Sequence, residues 1–429
     1  MPANPLRATS RRAARALDIN GDGFADVVLS ETGDTDHIHI HLGHPGLVSG
    51  PASQSIALRS LSSHDLLRDL LHPGDVDGDG LSDIVVVTDG GAGVLLGGAK
   101  GLAPQLSSLV VNPDGEANGV QFQTAGDING DGFADLLGSV RCTPMILESF
   151  PPQRIDCSTD EHHFYVWNGS ADGLAASPSF EDHTPRADVS TFTAAGDVNG
   201  DGFDDVLRSH GGRLAIHTGS ARGLQAGPGP TLVGPRGKRF DSAATARLGD
   251  INGDQFDDIV VFAYGSTGDP DRAFVYLGSP SGLPSRPSQV LRPPHKHYFH
   301  LGLLSATPVG DVDGDGFVDV AVGDFDQIAV YRGGKGGLEA KPSWSLTEPK
   351  GAHNFGTAVG PGDIDGDGFA DLWSAAPASA SPTGGDYIGH AYVYRGGPDG
   401  VEAKPAQTLI GAAGRRGDYA MWFATGSPR

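Results

Sequence analysis

Short runs that alternate apolar and polar residues recur along the chain, each closed by glycine, proline or aspartate. The last unit parses most clearly. Phe355–Gly360 alternates as a first strand, Leu372–Ala376 gives a second, His390–Tyr394 (HAYVY) a third and Ala406–Ile410 a fourth. Successive side chains of a strand point to opposite faces, and turn-rich breaks at regular spacing mark an all-β chain. Earlier units repeat the order, with third strands at Ile38–Leu42, Phe164–Trp167, Leu214–His217, Phe274–Leu277 and Ile328–Tyr331. The turn that follows them repeats as well: GSADGL (169–174), GSARGL (219–224), GSPSGL (278–283) and GGKGGL (333–338).

Between the first two strands of every unit stands one stretch, GDINGDGFADLL (126–137) in the third. Its core, Asp-x-Asn/Asp-Gly-Asp-x-x-x-Asp, opens at Asp18, Asp75, Asp127, Asp197, Asp250, Asp311 and Asp363, at intervals of 52 to 70 residues. Self-similarity of that period with strand content predicts a radial array, and seven four-stranded units describe a seven-bladed β-propeller. The stretch Tyr419–Gly426 (YAMWFATG) aligns with Phe355–Gly362 and stops where a loop would begin. It is expected to complete the blade whose loop starts at Asp18, so that the C-terminal strand closes the ring. The expected organisation is a disordered tail, residues 1–16, followed by a single propeller over 17–429. Using Arg11–Leu17 as the innermost strand instead would bury arginines, which is costly.

The repeated loop is written for a cation. Oxygens at positions 1, 3, 5 and 9, with the backbone carbonyl at 7, can converge on one centre, as Ca²⁺ requires with its six to eight oxygen ligands. The third loop supplies Asp127, Asn129, Asp131, Phe133 (carbonyl) and Asp135; the first supplies Asp18, Asn20, Asp22, Phe24 and Asp26. The second has Asp75, Asp77, Asp79, Leu81 and Asp83, and the fourth Asp197, Asn199, Asp201, Phe203 and Asp205. The fifth has Asp250, Asn252, Asp254, Phe256 and Asp258, the sixth Asp311, Asp313, Asp315, Phe317 and Asp319, and the seventh Asp363, Asp365, Asp367, Phe369 and Asp371. Without an ion these carboxylates would crowd one another unfavourably. Asn-Gly and Asp-Gly also serve as plain hairpin turns, but seven copies that keep a carboxylate at positions 1, 5 and 9 favour calcium, at up to seven sites. An EF-hand is excluded, since it needs a bidentate Glu at position 12, where the first loop has Leu29. Gln255 occupies a position that is glycine in the other six loops. A left-handed backbone there costs about 1 kcal/mol, so the fifth site is expected to be the weakest.

The formal charge of −23 looks extreme until it is sorted, because nearly half of the 53 acidic residues lie in these loops. Seven Ca²⁺ would leave about −9, and the lack of basic patches argues against nucleic acid. No apolar run approaches the roughly 20 residues that span a bilayer, so no membrane insertion is expected. Residues 1–16 carry four arginines and no hydrophobic segment, so no secretory leader is read there. Cys142 and Cys157 sit in the longest insertion. An even count in a loop, together with calcium loops suited to an extracellular setting, favours a disulfide between them.

These residues resemble the FG-GAP repeats of the integrin α-subunit head, a seven-bladed propeller, over nearly the whole chain from Leu17. Phe355-Gly356 is a true Phe-Gly and Ala375-Ala376-Pro377 approximates Gly-Ala-Pro, while other units keep the phenylalanine alone (Phe122, Phe192) or neither feature. The resemblance implies calcium loops between the first and second strands, an extracellular, periplasmic or cell-surface location, and adhesion or recognition rather than catalysis. Some fungal lectins of the same build bind amino sugars between blades. A multivalent lectin is therefore the alternative, motivated by aromatic strand ends such as Tyr165, Trp167, Tyr276 and Tyr331. An enzyme is disfavoured, because no triad, phosphate loop or isolated carboxylate pair stands apart from the loops.

Strand parity sorts the remaining segments. If the calcium loops join strands 1 and 2, the 3–4 turns share their face, and the 2–3 loops and 4–1 links emerge opposite. The insertions at 142–157, 265–271 and 377–389 and the links at 293–300 and 414–418 all fall on that opposite face, where a protein or glycan ligand is expected. Arg416-Gly417-Asp418 there is an integrin-recognition tripeptide that chance explains in a chain rich in these residues. His295, His297 and His300 lack a carboxylate at metal spacing and read as a solvated loop. His37, His39 and His41 share a strand face and read as packing. Asn168-Gly169-Ser170 fits a glycosylation sequon, but turn chemistry explains it.

Overall fold

The computed structural model describes residues 17–31, 36–58, 67–88, 90–111, 120–140, 146–147, 153–154, 161–185, 190–210, 213–225, 229–233, 243–263, 272–291, 305–323, 326–352, 354–356, 359–376 and 389–410. They form an all-β, seven-bladed propeller of four-stranded antiparallel blades, with no helix among the described residues. Blade 5 shows the plan: Ala243–Gly249, Asp258–Ala263, Arg272–Tyr276 and Gln289–Leu291 pair in chain order. Blade 1 has three described strands, Val27–Glu31, Asp36–His41 and Gln54–Leu58. The C-terminal strand expected to complete it, at 419–426, lies outside the described residues.

What bends the row of sheets into a ring is the burial of both faces of every blade. Residues at period two alternate between two neighbours, and each apolar cluster is shared by consecutive blades. Val85, Val87 and Val110 of blade 2 pack with Tyr165 and Trp167 of blade 3, while Phe164 and Val166, on the opposite face, pack with Phe192 and Val206 of blade 4. The series returns to its start: Val27, Leu29 and Val48 of blade 1 bury against Trp373, Ala375 and Val393 of blade 7. Innermost strands follow one another around the centre, Leu67–Gly74, Val120–Gly126, Ser190–Gly196, Ala243–Gly249, Ser305–Gly310 and Val359–Gly362. No blade could bury its two apolar faces alone, so the array closes on itself.

Two expectations need correcting. Phe355–Gly360 was expected as a strand, but the strand is Val359–Gly362, and Phe355-Gly356 precede it in a turn where Asn354 (φ 61°) and Gly356 (φ 85°) are left-handed. The Gly356 N–H donates to Ser374 Oγ, and Phe355 is fully buried edge-on to Tyr392 and Tyr394. The phenylalanine is therefore a core plug rather than an alternating strand residue. The 142–157 insertion also holds a two-stranded ribbon, Ile146–Leu147 with Gln153–Arg154, that the residue pattern did not announce. Cys142, Cys157 and the segments 265–271, 293–300, 377–388 and 414–418 lie outside the described residues.

Candidate functional site

Among the described residues, the loops of blades 2 to 7 join the first and second strands, and in blades 2 to 6 a bulge delivers the chain into the loop. Register shifts fall between Thr124 and Gly126, Ala194 and Gly196, Arg247 and Gly249, and Pro308 and Gly310. In the second to seventh loops the residue just before position 1 is a glycine of positive φ, 78° at Gly126.

The nine residues then wind around their own carboxylates. At position 1, one oxygen accepts the N–H of position 4 (Gly130 to Asp127 Oδ1, 2.7 Å) and the other accepts that of position 6 (Gly132 to Asp127 Oδ2, 2.9 Å). Position 5 accepts from position 7, as in Phe133 to Asp131 Oδ1 at 3.1 Å. The same three bonds recur in the other loops, for example in the first, at Gly21, Gly23 and Phe24. In the fifth, Gln255 holds φ 79° and still donates to Asp250 Oδ2 at 2.8 Å. The left-handed geometry anticipated there is present, and the loop tolerates it without losing its bond.

Position 9 is the most buried member. Asp26, Asp83, Asp135, Asp205, Asp258, Asp319 and Asp371 are at most 1% exposed. Asp135 Oδ2 accepts from Ile128 N (2.9 Å) and its Oδ1 from Gly169 N (3.0 Å), the first residue of the 3–4 turn. Equivalent turn glycines donate in every blade, so the loops and the 3–4 turns share one face, as parity required. Burial is the main cause that pushes these carboxyls up, to about 7 at Asp26, Asp83, Asp319 and Asp371 and about 8 at Asp205 and Asp258. Neighbouring aspartates add to it. Asp127, at position 1, rises to about 6 for the same reasons.

The donor set fits a hard cation. In the second, sixth and seventh loops, where position 3 is Asp, three carboxylates bring one oxygen each within 4.8 Å of one another: Asp75, Asp77 and Asp83; Asp311, Asp313 and Asp315; Asp363, Asp365 and Asp371. Where position 3 is Asn, its amide donates to a carboxylate of the same loop: to position 5 in the first, third and fifth, as in Asn129 Nδ2 to Asp131 Oδ2 at 2.7 Å, and to position 9 in the fourth, Asn199 Nδ2 to Asp205 Oδ2 at 3.4 Å. Cationic side chains also reach in: Arg332 contacts Asp313 and Asp315, and Arg395 Nε bonds Asp365 Oδ2 at 2.8 Å.

Several contributors escape a loop-by-loop reading. The position-7 side chain of each loop covers the position-4 glycine of the loop before it. A Cβ added at Gly130 would lie 2.6 Å from Phe203 Cε1, and Gly366 meets Phe24 in the same way across the closing junction. Backbone bonds run in parallel, from Ala134 N to Asp75 O (2.8 Å), Asp204 N to Asp127 O (2.9 Å) and Ala25 N to Asp363 O (2.9 Å). In loops 4 and 5 the residue before position 9 is also acidic. Asp204 and Asp257 share Arg247, whose Nη2 lies 3.4 and 2.6 Å from them, and they accept from Asp127 N and Asp197 N. The doubled Asp-Asp in the sequence was the available signal.

Among the other residues singled out, Tyr165, Trp167, Tyr276 and Tyr331 are fully buried in the inter-blade cores and present no stacking surface. His41 is buried with Nδ1 3.0 Å from Ser49 O, and His39 pairs with Glu31 at 2.9 Å. Asn168 Oδ1 accepts from Ser179 Oγ and Ser170 Oγ donates to Gly173 O, which is turn chemistry.

The FG-GAP-like repeat matches residues 75–138 and 311–374, and the FG-GAP repeat matches 355–394. These spans begin at, or enclose, the loops opening at Asp75, Asp311 and Asp363. The chain is an integrin-like seven-bladed propeller that carries FG-GAP repeats over these spans. Integrin alpha-IIb of Mus musculus is 36% identical over 158 residues, covering 32% of this chain and 15% of that protein. Integrin alpha-PS5 of Drosophila melanogaster is 33% identical over 162 residues, covering 35% and 15%. The propeller thus spans only 15% of the length of these relatives. A functionally unknown protein from Desulfotomaculum acetoxidans of solved structure is 10% identical, with 90% of this chain and 99% of that one covered and a TM-score of 0.45.

Proposed function

We propose that this propeller is a non-catalytic, calcium-stabilised recognition module of an extracellular or cell-surface protein. It would bind a protein or glycan ligand on the face opposite the loops. The observation that carries the reading is an aspartate loop repeated seven times with its carboxylates oriented by N–H groups, three copies of which bring three carboxylate oxygens within 4.8 Å of one another, at junctions that also join each blade to the next. Ca²⁺ in a loop would offset the burial and repulsion that raise the position-9 carboxyls. Asp127, Asn129 and Asp131, the Phe133 carbonyl and the remaining lone pairs of Asp135 would hold it, and likewise in the other loops. The matched relatives are integrin α-chains, which supports adhesion or recognition as the broad role. No helix among the described residues is long and apolar enough to cross a membrane.

An ion that binds only the native state stabilises it by about 2.7 kcal/mol per site at a hundredfold excess over Kd. Melting in millimolar Ca²⁺ and in EDTA is expected to differ by well over ten degrees. Equal melting temperatures would end the calcium reading. Glycan arrays and pull-downs with cell-surface proteins then distinguish sugar from protein ligands.

A further inference from the structure

We propose that His163, Glu181 and His183 of blade 3 form a zinc-type site, separate from the calcium loops and open to solvent. His163 lies on the third strand of the blade, Glu161–Trp167, and the other two on the fourth, Phe180–Pro185. The register sets His163 directly opposite His183, and Tyr165 opposite Glu181. All four side chains therefore project from one face of the sheet. Glu181 Oε1 lies 3.9 Å from His163 Nδ1 and 3.7 Å from His183 Nδ1, and one ligand atom from each residue falls within 4.8 Å of the others. Tetrahedral Zn²⁺, with bonds of about 2.0–2.2 Å, sets its ligand atoms about 3.4 Å apart. Closing the cluster around the ion thus needs only a small inward turn.

The residues differ in a way that suits this. The side chain of His163 is 10% exposed and so the least mobile of the three, and its Nδ1 stands 3.2 Å from the Tyr165 hydroxyl, a hydrogen bond that metal ligation through that nitrogen replaces. Glu181 and His183 are 48% and 52% exposed and free to adjust, which also leaves coordination positions for water. Two imidazoles and a carboxylate select Zn²⁺ or a neighbouring transition metal over Ca²⁺, which takes oxygen alone.

The site belongs to the opposite end of the blade from the loops. His163 pairs with Val140, the last residue of the second strand, whereas the loop enters that strand at Asp135. Blade 7 provides an internal control. There His390 Nδ1 meets the Tyr392 hydroxyl at 3.0 Å, so the His–Tyr pair has a packing role of its own, yet Ile410 and Thr408 stand opposite and supply no ligand.

The test uses the full chain saturated with Ca²⁺, with Co²⁺ as probe. One equivalent of Co²⁺ is expected to give the intense visible absorption of a tetrahedral nitrogen–oxygen site, and one equivalent of Zn²⁺ to displace it. His183→Ala and Glu181→Gln change exposed side chains and are expected to weaken binding by about tenfold or more, while His390→Ala leaves it intact. Absence of stoichiometric binding would overturn the proposal. So would weak octahedral absorption indifferent to His183→Ala, which would assign the ion to the aspartate loops.

Discussion

Gln255 shows what one side chain can cost while changing nothing visible. Its backbone sits at φ 79° and its N–H keeps the bond to Asp250 that glycine makes elsewhere. A left-handed non-glycine residue costs about 1–2 kcal/mol, against about 0.4–1 kcal/mol that glycine adds to the unfolded chain's entropy. Gln255→Gly is therefore expected to raise stability by about 0.5 kcal/mol, read from the urea midpoint in EDTA, and a drop would contradict the strain. Arg395 makes a second prediction at this scale. Its guanidinium bonds Asp365 at 2.8 Å and opposes any cation in that loop. Arg395→Leu is expected to tighten Ca²⁺ binding to the seventh loop about threefold to tenfold, roughly 1 kcal/mol of removed repulsion, by calorimetry.

At the scale of the element, the nine-residue loop divides its carboxylates between two tasks. Asp135 is buried and accepts the N–H groups of Ile128 and Gly169, tying the loop to the 3–4 turn, whereas Asp131 is exposed beside it. Asp135→Ala leaves two buried donors unmet and is expected to destabilise by at least about 2 kcal/mol even in EDTA. Asp131→Ala is expected to matter only when Ca²⁺ is present. Equal behaviour of the two variants in chelator would refute this division. Much of this was legible beforehand, because position 1 meets positions 4 and 6, and position 5 meets 7, within one short segment. The Phe355 turn was not, since alternation over six residues cannot reveal that Gly356 is left-handed and that Ser374 waits for its N–H.

Over the whole molecule, the loops form a belt in which the position-7 side chain of each loop covers the loop before it. In the metal-free protein, carboxyls at Asp26, Asp83, Asp319 and Asp371 rise from 3.8 to about 7. The native state then holds more protons than the unfolded chain throughout that window, so stability in EDTA is expected to fall as pH rises from about 4 to about 7. Saturating Ca²⁺ binds the ionised form and should reverse the slope. Denaturant midpoints measured across pH with and without the ion check it, and identical profiles would count against cation sites in the loops.

Residue order alone determined the number of blades and the course of the repeated loops, because these depend on contacts within a few residues and on a repeat seen seven times. Only the folded ring decided that Phe24 covers Gly366, that Arg247 joins Asp204 to Asp257, and that His163 faces His183. Those pairs are set by strand register and blade order, and the separation along the chain hides them until both faces of every sheet are buried.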